Sequence, residues 1–180
     1  MMTTPKEIGE TVKLLRERFN LAEAVWVPSR PRKDSIVQDC YKDVERQVGE
    51  FGGEIIYGWE IWEWPRIMIE AEFHAVWKSP TMELIDVTIK PDGEQQIVFI
   101  PDATRTYNAR QIDNLRLALW NHNLVHEFIQ VGEQLYRLFD DNRISELESI
   151  FDAAEQERLE HRKFAIQSKL MSYPRARTSP

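Results

Sequence analysis

The sequence predicts an α+β domain, and three observations carry that reading. Residues 54–100 hold four segments rich in β-branched and aromatic residues, joined by short connections. Before and after them, apolar residues recur at helical spacing instead. Strands and helices are thus segregated along the chain, which separates α+β from alternating α/β folds. The 180 residues, 42% hydrophobic and 29% charged, fit one globular domain with a core that needs no staples.

"PKEIGETVKLLRERF" spaces Ile8, Val12, Leu15 and Phe19 for a helix, with Pro5 in its first turn. "AVWV" reads as a short strand, and "VPSRPRKDS" as an exposed loop. In "QDCYKDVERQVGEFGG", Tyr41, Val44, Val48 and Phe51 form a helical stripe that Gly52 and Gly53 end. Asp39 is the expected N-cap, so Cys40 falls in the first turn. "EIIYGWEIWEW", "RIMIEAEFHAVW", "ELIDVTIK" and "QIVFI" read as four consecutive strands, with "KPDGEQ" as the last turn. Short connections predict an antiparallel meander. From Asn108 to about Ser172 the pattern is helical, and "YPRARTSP" reads as a frayed tail. The expected organisation is a core over 1–107, a helical extension packed on it over 108–173, and a tail over 174–180.

Composition narrows the function. The formal net charge of −7 argues against nucleic-acid binding. The basic run "RPRK" at 30–33 reads as a solvated loop rather than a phosphate contact. No apolar run reaches a membrane span and Met1–Asn20 shows no signal peptide, so the expected location is cytoplasmic. One cysteine excludes an internal disulfide and a multi-Cys zinc site. His122 and His126 share a helix face, but "HNLVHE" lacks the intervening glutamate of a zinc-protease word. No metal or cofactor is expected. The C-terminal helices could pack on the core, cap a cleft or form a homodimer.

The single cysteine sets the chemistry. A helix N-terminus supplies positive potential that favours a thiolate. A thiol nucleophile also needs a base, and a group to orient that base. Within "EAEFHAVWKSPTMELIDVT", alternation puts Ile69, Ala71, Phe73, Ala75 and Trp77 on an apolar face. Glu70, Glu72, His74 and Val76 take the other face. Leu84, Asp86 and Thr88 share a side of the next strand. A turn near Pro80 and Thr81 sets position 74 close to 86 or 87, so His74 and Asp86 can meet across strands. Glu72, Trp59 and Trp62 are candidates for a substrate groove. Glu60, Trp62 and Trp64 suit either a cleft lining or plain core. Glu70 and Glu72 suit a groove wall, or solvated carboxylates paired with Lys or Arg.

These words resemble the transglutaminase-like core of the papain-like cysteine superfamily. An aromatic, Tyr41, follows the Cys; His74 opens "HAVW"; Asp86 opens "DVT"; and "GGEIIYGWEIW" lies between the Cys helix and the His strand. His74 follows Cys40 by 34 residues, and Asp86 follows His74 by 12. The resemblance covers residues 35 to 100 and extends to uncharacterised bacterial proteins. It implies a Cys helix packed on an antiparallel sheet of about four strands, and a Cys40–His74–Asp86 triad. It implies peptidase, amidase, deamidase or transamidase chemistry through a thioester, on a protein, peptide or small amide. Gln38 and the Cys40 backbone N–H are the nearest oxyanion donors, with Trp26 a weaker candidate. The alternative is a binding or regulatory protein on the same fold with a structural triad.

Overall fold

The computed structural model describes residues 2–37, 39–90, 93–142 and 152–174. Among them are four helices and an antiparallel six-stranded sheet, an α+β architecture. In chain order these are α1 (Glu10–Phe19), β1 (Val25–Pro28), α2 (Cys40–Phe51), β2 (Glu54–Trp64), β3 (Met68–Lys78), β4 (Leu84–Ile85), β5 (Gln96–Pro101), β6 (Leu115–Ala118), α3 (Asn123–Asp141) and α4 (Ala153–Ser172). No described helix is long and apolar enough to cross a membrane.

β2 and β3 form a long hairpin, paired from Glu54↔Lys78 to Trp64↔Met68. The rest departs from the expected meander. The sheet order is β1-β5-β2-β3-β4, with β6 also on β3, so "QIVFI" crosses to the far side of β2. "ELIDVTIK" pairs with β3 only at Leu84 and Ile85. The chain then turns to the segment after β1. Asp86 N donates to Pro28 O (3.0 Å), Arg30 N to Asp86 O (2.8 Å) and Arg32 N to Val87 O (2.9 Å). That pairing engages both backbone groups of Asp86 and draws the chain away from β3. The two end strands of the path meet there, so the sheet curls on itself.

The two faces have separate cores. The outer face carries Trp59, Ile61, Phe73, Ala75 and Ile100 beneath Val12 and Leu15 of α1 and Tyr41 and Val44 of α2. The inner face carries Val27, Val76, Ile97 and Phe99, with Ile56 and Leu84 at its margin. A third cluster packs α3 and α4 on the hairpin end at Trp64, Ile67 and Met68.

Two helix starts differ from expectation, and a third lacks its expected cap bond. α1 starts at Glu10 after Gly9, so Pro5 precedes it. Asp39 holds the N-cap position of α2 but makes no side-chain cap bond. Residues 108–122 are not helical: Leu115–Ala118 is a strand on Met68–Ala71 of β3. An open β3 edge offers backbone partners there, which outweighs a weak helical preference. Helix α3 begins only at Asn123, capped by His122 Nδ1 accepting from Leu124 N at 3.2 Å. Pro91 and Asp92 of the expected turn, 143–151 of the expected helices and 175–180 of the tail lie outside the described residues.

Two glycines matter to the hairpin. Gly53 has φ +90, and a Cβ there would lie 2.2 Å from Lys78 O. Gly58 sits opposite His74, where a Cβ would meet the Phe99 ring at 2.6 Å and Ile100 O at 2.2 Å. We expect Gly58→Ala to destabilise the fold by about 3 kcal/mol through overpacking. A urea midpoint equal to that of the parent chain would show that the inner face has slack.

Candidate active site

α2 covers the outer face, whereas His74 points to the inner one. They meet because the outer edge of β3 is interrupted. β6 pairs with it over Met68–Ala71 and β4 at Trp77–Lys78. From Glu72 to Val76 that edge has no strand partner among the described residues. The start of α2 fills the gap: Tyr41 Oη lies 2.9 Å from Phe73 O, and Tyr41 stacks on Tyr107 with centroids 3.7 Å apart. Buried Asp43 accepts from Ser35 Oγ at 2.5 Å, and Ile89 N donates to that Ser35 Oγ at 2.8 Å. The Cys40 helix is thereby tied to the chain that carries Asp86 and Lys90. A single cavity of about 630 Å³ is lined by Cys40, Tyr41, Glu60, Trp62, Glu72, His74, Thr88, Lys90 and Gln111, among others.

His74 is 5% exposed and Asp86 fully buried, so neither is a solvent-facing strand residue. His74 Nε2 lies 3.3 Å from Asp86 Oδ1. The same oxygen accepts from Thr88 N (3.0 Å) and Thr88 Oγ1 (2.7 Å), which gives the word "DVT" its physical meaning. The strand register would, if continued, set His74 opposite Thr88; divergence after Ile85 lets Asp86 reach the ring instead.

Two further charges complete the cluster. Glu60 Oε2 lies 3.6 Å from His74 Nδ1. Lys90 Nζ lies 2.8 Å from both Glu60 oxygens, and 2.9 Å from Asp86 Oδ2 in an ion pair off the hydrogen-bond direction. Burial is the strongest influence on each group and opposes its charge. For His74, the charges of Glu60, Cys40 and Asp86 outweigh burial and Lys90, and hold its pKa well above 6.5. For Asp86, His74 and Lys90 outweigh burial and hold the carboxyl below its ordinary range. Burial prevails at Glu60, which is raised despite His74 and Lys90. Glu60 and Asp86 outweigh burial at Lys90 and raise it.

The structure brings Cys40, His74, Asp86, Glu72 and Trp62 to one place. Cys40 is a half-buried free thiol in the first turn of α2. Trp62 Nε1 donates to Glu72 Oε2 at 2.9 Å on the cavity wall. Trp59 is not brought there: it is fully buried on the outer face, donating to Asp102 Oδ2 at 3.0 Å. Trp64 belongs to the α3–α4 core, and Trp26 on β1 does not line the cavity. Gln38 lies outside the described residues. Of the basic run, Arg30 pairs with Glu83, and Arg32 with Asp34 and Glu50.

Lys90 escaped the sequence reading, although Asp86, Thr88 and Lys90 share the alternating phase of an extended chain. Glu60 stood only as a cleft-or-core residue. Its signal is a carboxylate inside the apolar run "YGWEIW". Glu60, His74 and Asp86 offer three ligand atoms within 4.8 Å of one another. Lys90 already places a cation against both carboxylates, so the donor set is compensated from within the chain. His126 Nε2 lies 3.1 Å from Asn121 Oδ1, and His122 caps α3 and stacks on Trp120, so each ring has a local partner.

The acid stability of the fold should report Asp86. Its folded pKa lies below the unfolded value of about 3.9, so its contribution is complete above that value and fades as pH falls towards the folded one. Asp86→Asn is expected to be less stable near neutral pH and to lose less on acidification to about pH 3. Parallel urea-stability curves for the two proteins would exclude this role. Comparison with protein-family models, curated protein sequences and solved structures finds no match to this chain.

Proposed function

We propose that this protein is a cysteine-dependent acyl hydrolase or acyltransferase, with Cys40 as nucleophile, His74 as acid and base, and Asp86 as the group that orients His74. The carrying observation is the His74–Asp86 contact at 3.3 Å in a cavity that Cys40 also lines, from the start of a helix. The transglutaminase-like wording around the three residues supports the same reading, as does a Cys helix packed on an antiparallel sheet.

The Cys40 thiolate attacks an acyl carbon of a peptide, isopeptide or carboxamide, and the carbonyl electrons move to oxygen. The first backbone N–H groups of α2, Cys40 included, have no partner within the helix and receive no cap bond from the Asp39 side chain, so they suit that oxyanion. On collapse the C–N bond breaks, and the His74 imidazolium gives its proton to the departing amine. A thioester on Cys40 remains. Neutral His74 then takes a proton from water, or from an acceptor amine, as it attacks the thioester. The thiolate leaves and the imidazolium is restored. Hydrolysis is the default outcome.

One observation favours a binding or regulatory protein on the same fold. Both ring nitrogens of His74 face carboxylates, an arrangement that also suits a buried structural ion pair. Thiol labelling separates the two. Iodoacetamide is expected to modify Cys40 at neutral pH at least about tenfold faster than a free cysteine, and His74→Ala to remove that advantage. Slow labelling that ignores His74 would sink the enzyme reading. Acyl transfer further requires a thioester on Cys40, read by mass spectrometry with an activated ester and absent in Cys40→Ser.

A further inference from the structure

A Cys–His–Asp site needs one carboxylate on its histidine. Here there are two, and a lysine joins them. We propose that Glu60 and Lys90 are positioning residues for His74, with Glu60 facing the ring nitrogen that Asp86 leaves free and Lys90 locking both carboxylates about the ring. The catalytic meaning of this bracket rests on the acyl-transfer reading.

The geometry carries it. Asp86 Oδ1 takes Nε2 at 3.3 Å, and Glu60 Oε2 faces Nδ1 at 3.6 Å. The second distance is that of an ion pair rather than a hydrogen bond. Glu60 therefore favours a proton on Nδ1 without engaging that N–H. The N–H stays free to serve the thiolate or a leaving amine. Lys90, with its side chain 7% exposed, contacts both oxygens of Glu60 and Oδ2 of Asp86, so neither carboxylate can turn independently. With His74 protonated, two carboxylates face two cations and the buried charges balance. A neutral ring would leave one carboxylate charge uncompensated in a buried place.

The charged groups that act on His74 come from every side. They are Glu60 on β2, Cys40 on α2, and Asp86 and Lys90 on the chain after β4. Glu72, its neighbour on β3, is held by Trp62 at 2.9 Å. The two positioning residues act with opposite sign. Glu60 favours the imidazolium directly, whereas Lys90 opposes it.

The test is the ring titration of His74 by NMR in the full chain, assigned with His74→Gln. The other three histidines serve as internal controls. Glu60→Gln is expected to move deprotonation of His74 to a pH lower by at least about one unit, Glu60→Asp to bring it back towards the parent value, and Lys90→Met to move it higher. The alkaline limb of Cys40 labelling should follow the same order. A His74 titration unmoved by Glu60→Gln, or moved the same way by Glu60→Gln and Lys90→Met, overturns the proposal. If Lys90→Met does not fold, as judged from spectral dispersion, the Glu60→Gln and Glu60→Asp pair decides. Repeating the titration in Cys40→Ala separates the two readings. An unmoved ring removes the bracket, whereas slow, His74-independent labelling removes the acyl-transfer reading alone.

Discussion

After Ile85 the chain has two backbones to choose between. It could continue along β3, which still presents an open edge, or turn to the segment that follows β1. It turns, and Asp86 and Val87 pair with Pro28–Arg32. The sheet curls because its two end strands now meet. Among the described residues no strand pairs with the outer edge of β3 from Glu72 to Val76, and the first turn of α2 enters that gap. The side chain of Asp86 turns beneath His74. Had "ELIDVTIK" stayed on β3, a strand would occupy the place where Cys40 and Tyr41 now sit. The cavity is thus a product of backbone pairing before it is a product of side chains.

The charges in that cavity are costly to bury singly. A carboxylate, an ammonium or an imidazolium alone in such a place would lose several kcal/mol of hydration. Together, Glu60, His74, Asp86 and Lys90 offset one another's charge, and Thr88 donates twice to Asp86 Oδ1. Such clusters add little net stability compared with apolar packing, but they define one arrangement sharply. Their presence on the inner face, beside Val76 and Phe99, is better explained by a task for His74 than by stability. The same balance favours the protonated ring, the state from which the proposed acyl-transfer cycle would begin.

Local patterns proved informative wherever an element buries a face of its own. The hairpin of β2 and β3 was legible from alternation, because Trp59, Ile61, Phe73 and Ala75 all face one core. The Cys helix was legible from Tyr41, Val44 and Val48, ended by Gly52 and Gly53. Leu115–Ala118 was not, since "LRLA" is four residues long and too short for its spacing to separate strand from helix. The side of β2 taken by β5 was equally hidden, because "QIVFI" is apolar enough for either edge.

The sequence by itself determined which residues are candidates for thiol chemistry. It held one Cys at a helix start, a His on a strand, and an Asp on the phase that can reach it. Local spacing governs those features, and spacing is readable without the fold. Only the tertiary structure decided that the hairpin phase of His74 is an interior and not a wet surface. It alone brought Lys90 and Glu60 to the same ring, placed Trp59 in the opposite core and opened an edge of β3 for α2. Each of those depends on which strand edges pair across long stretches of chain. Edges compete through identical backbone groups, so side-chain patterns leave that competition unresolved until the whole sheet closes.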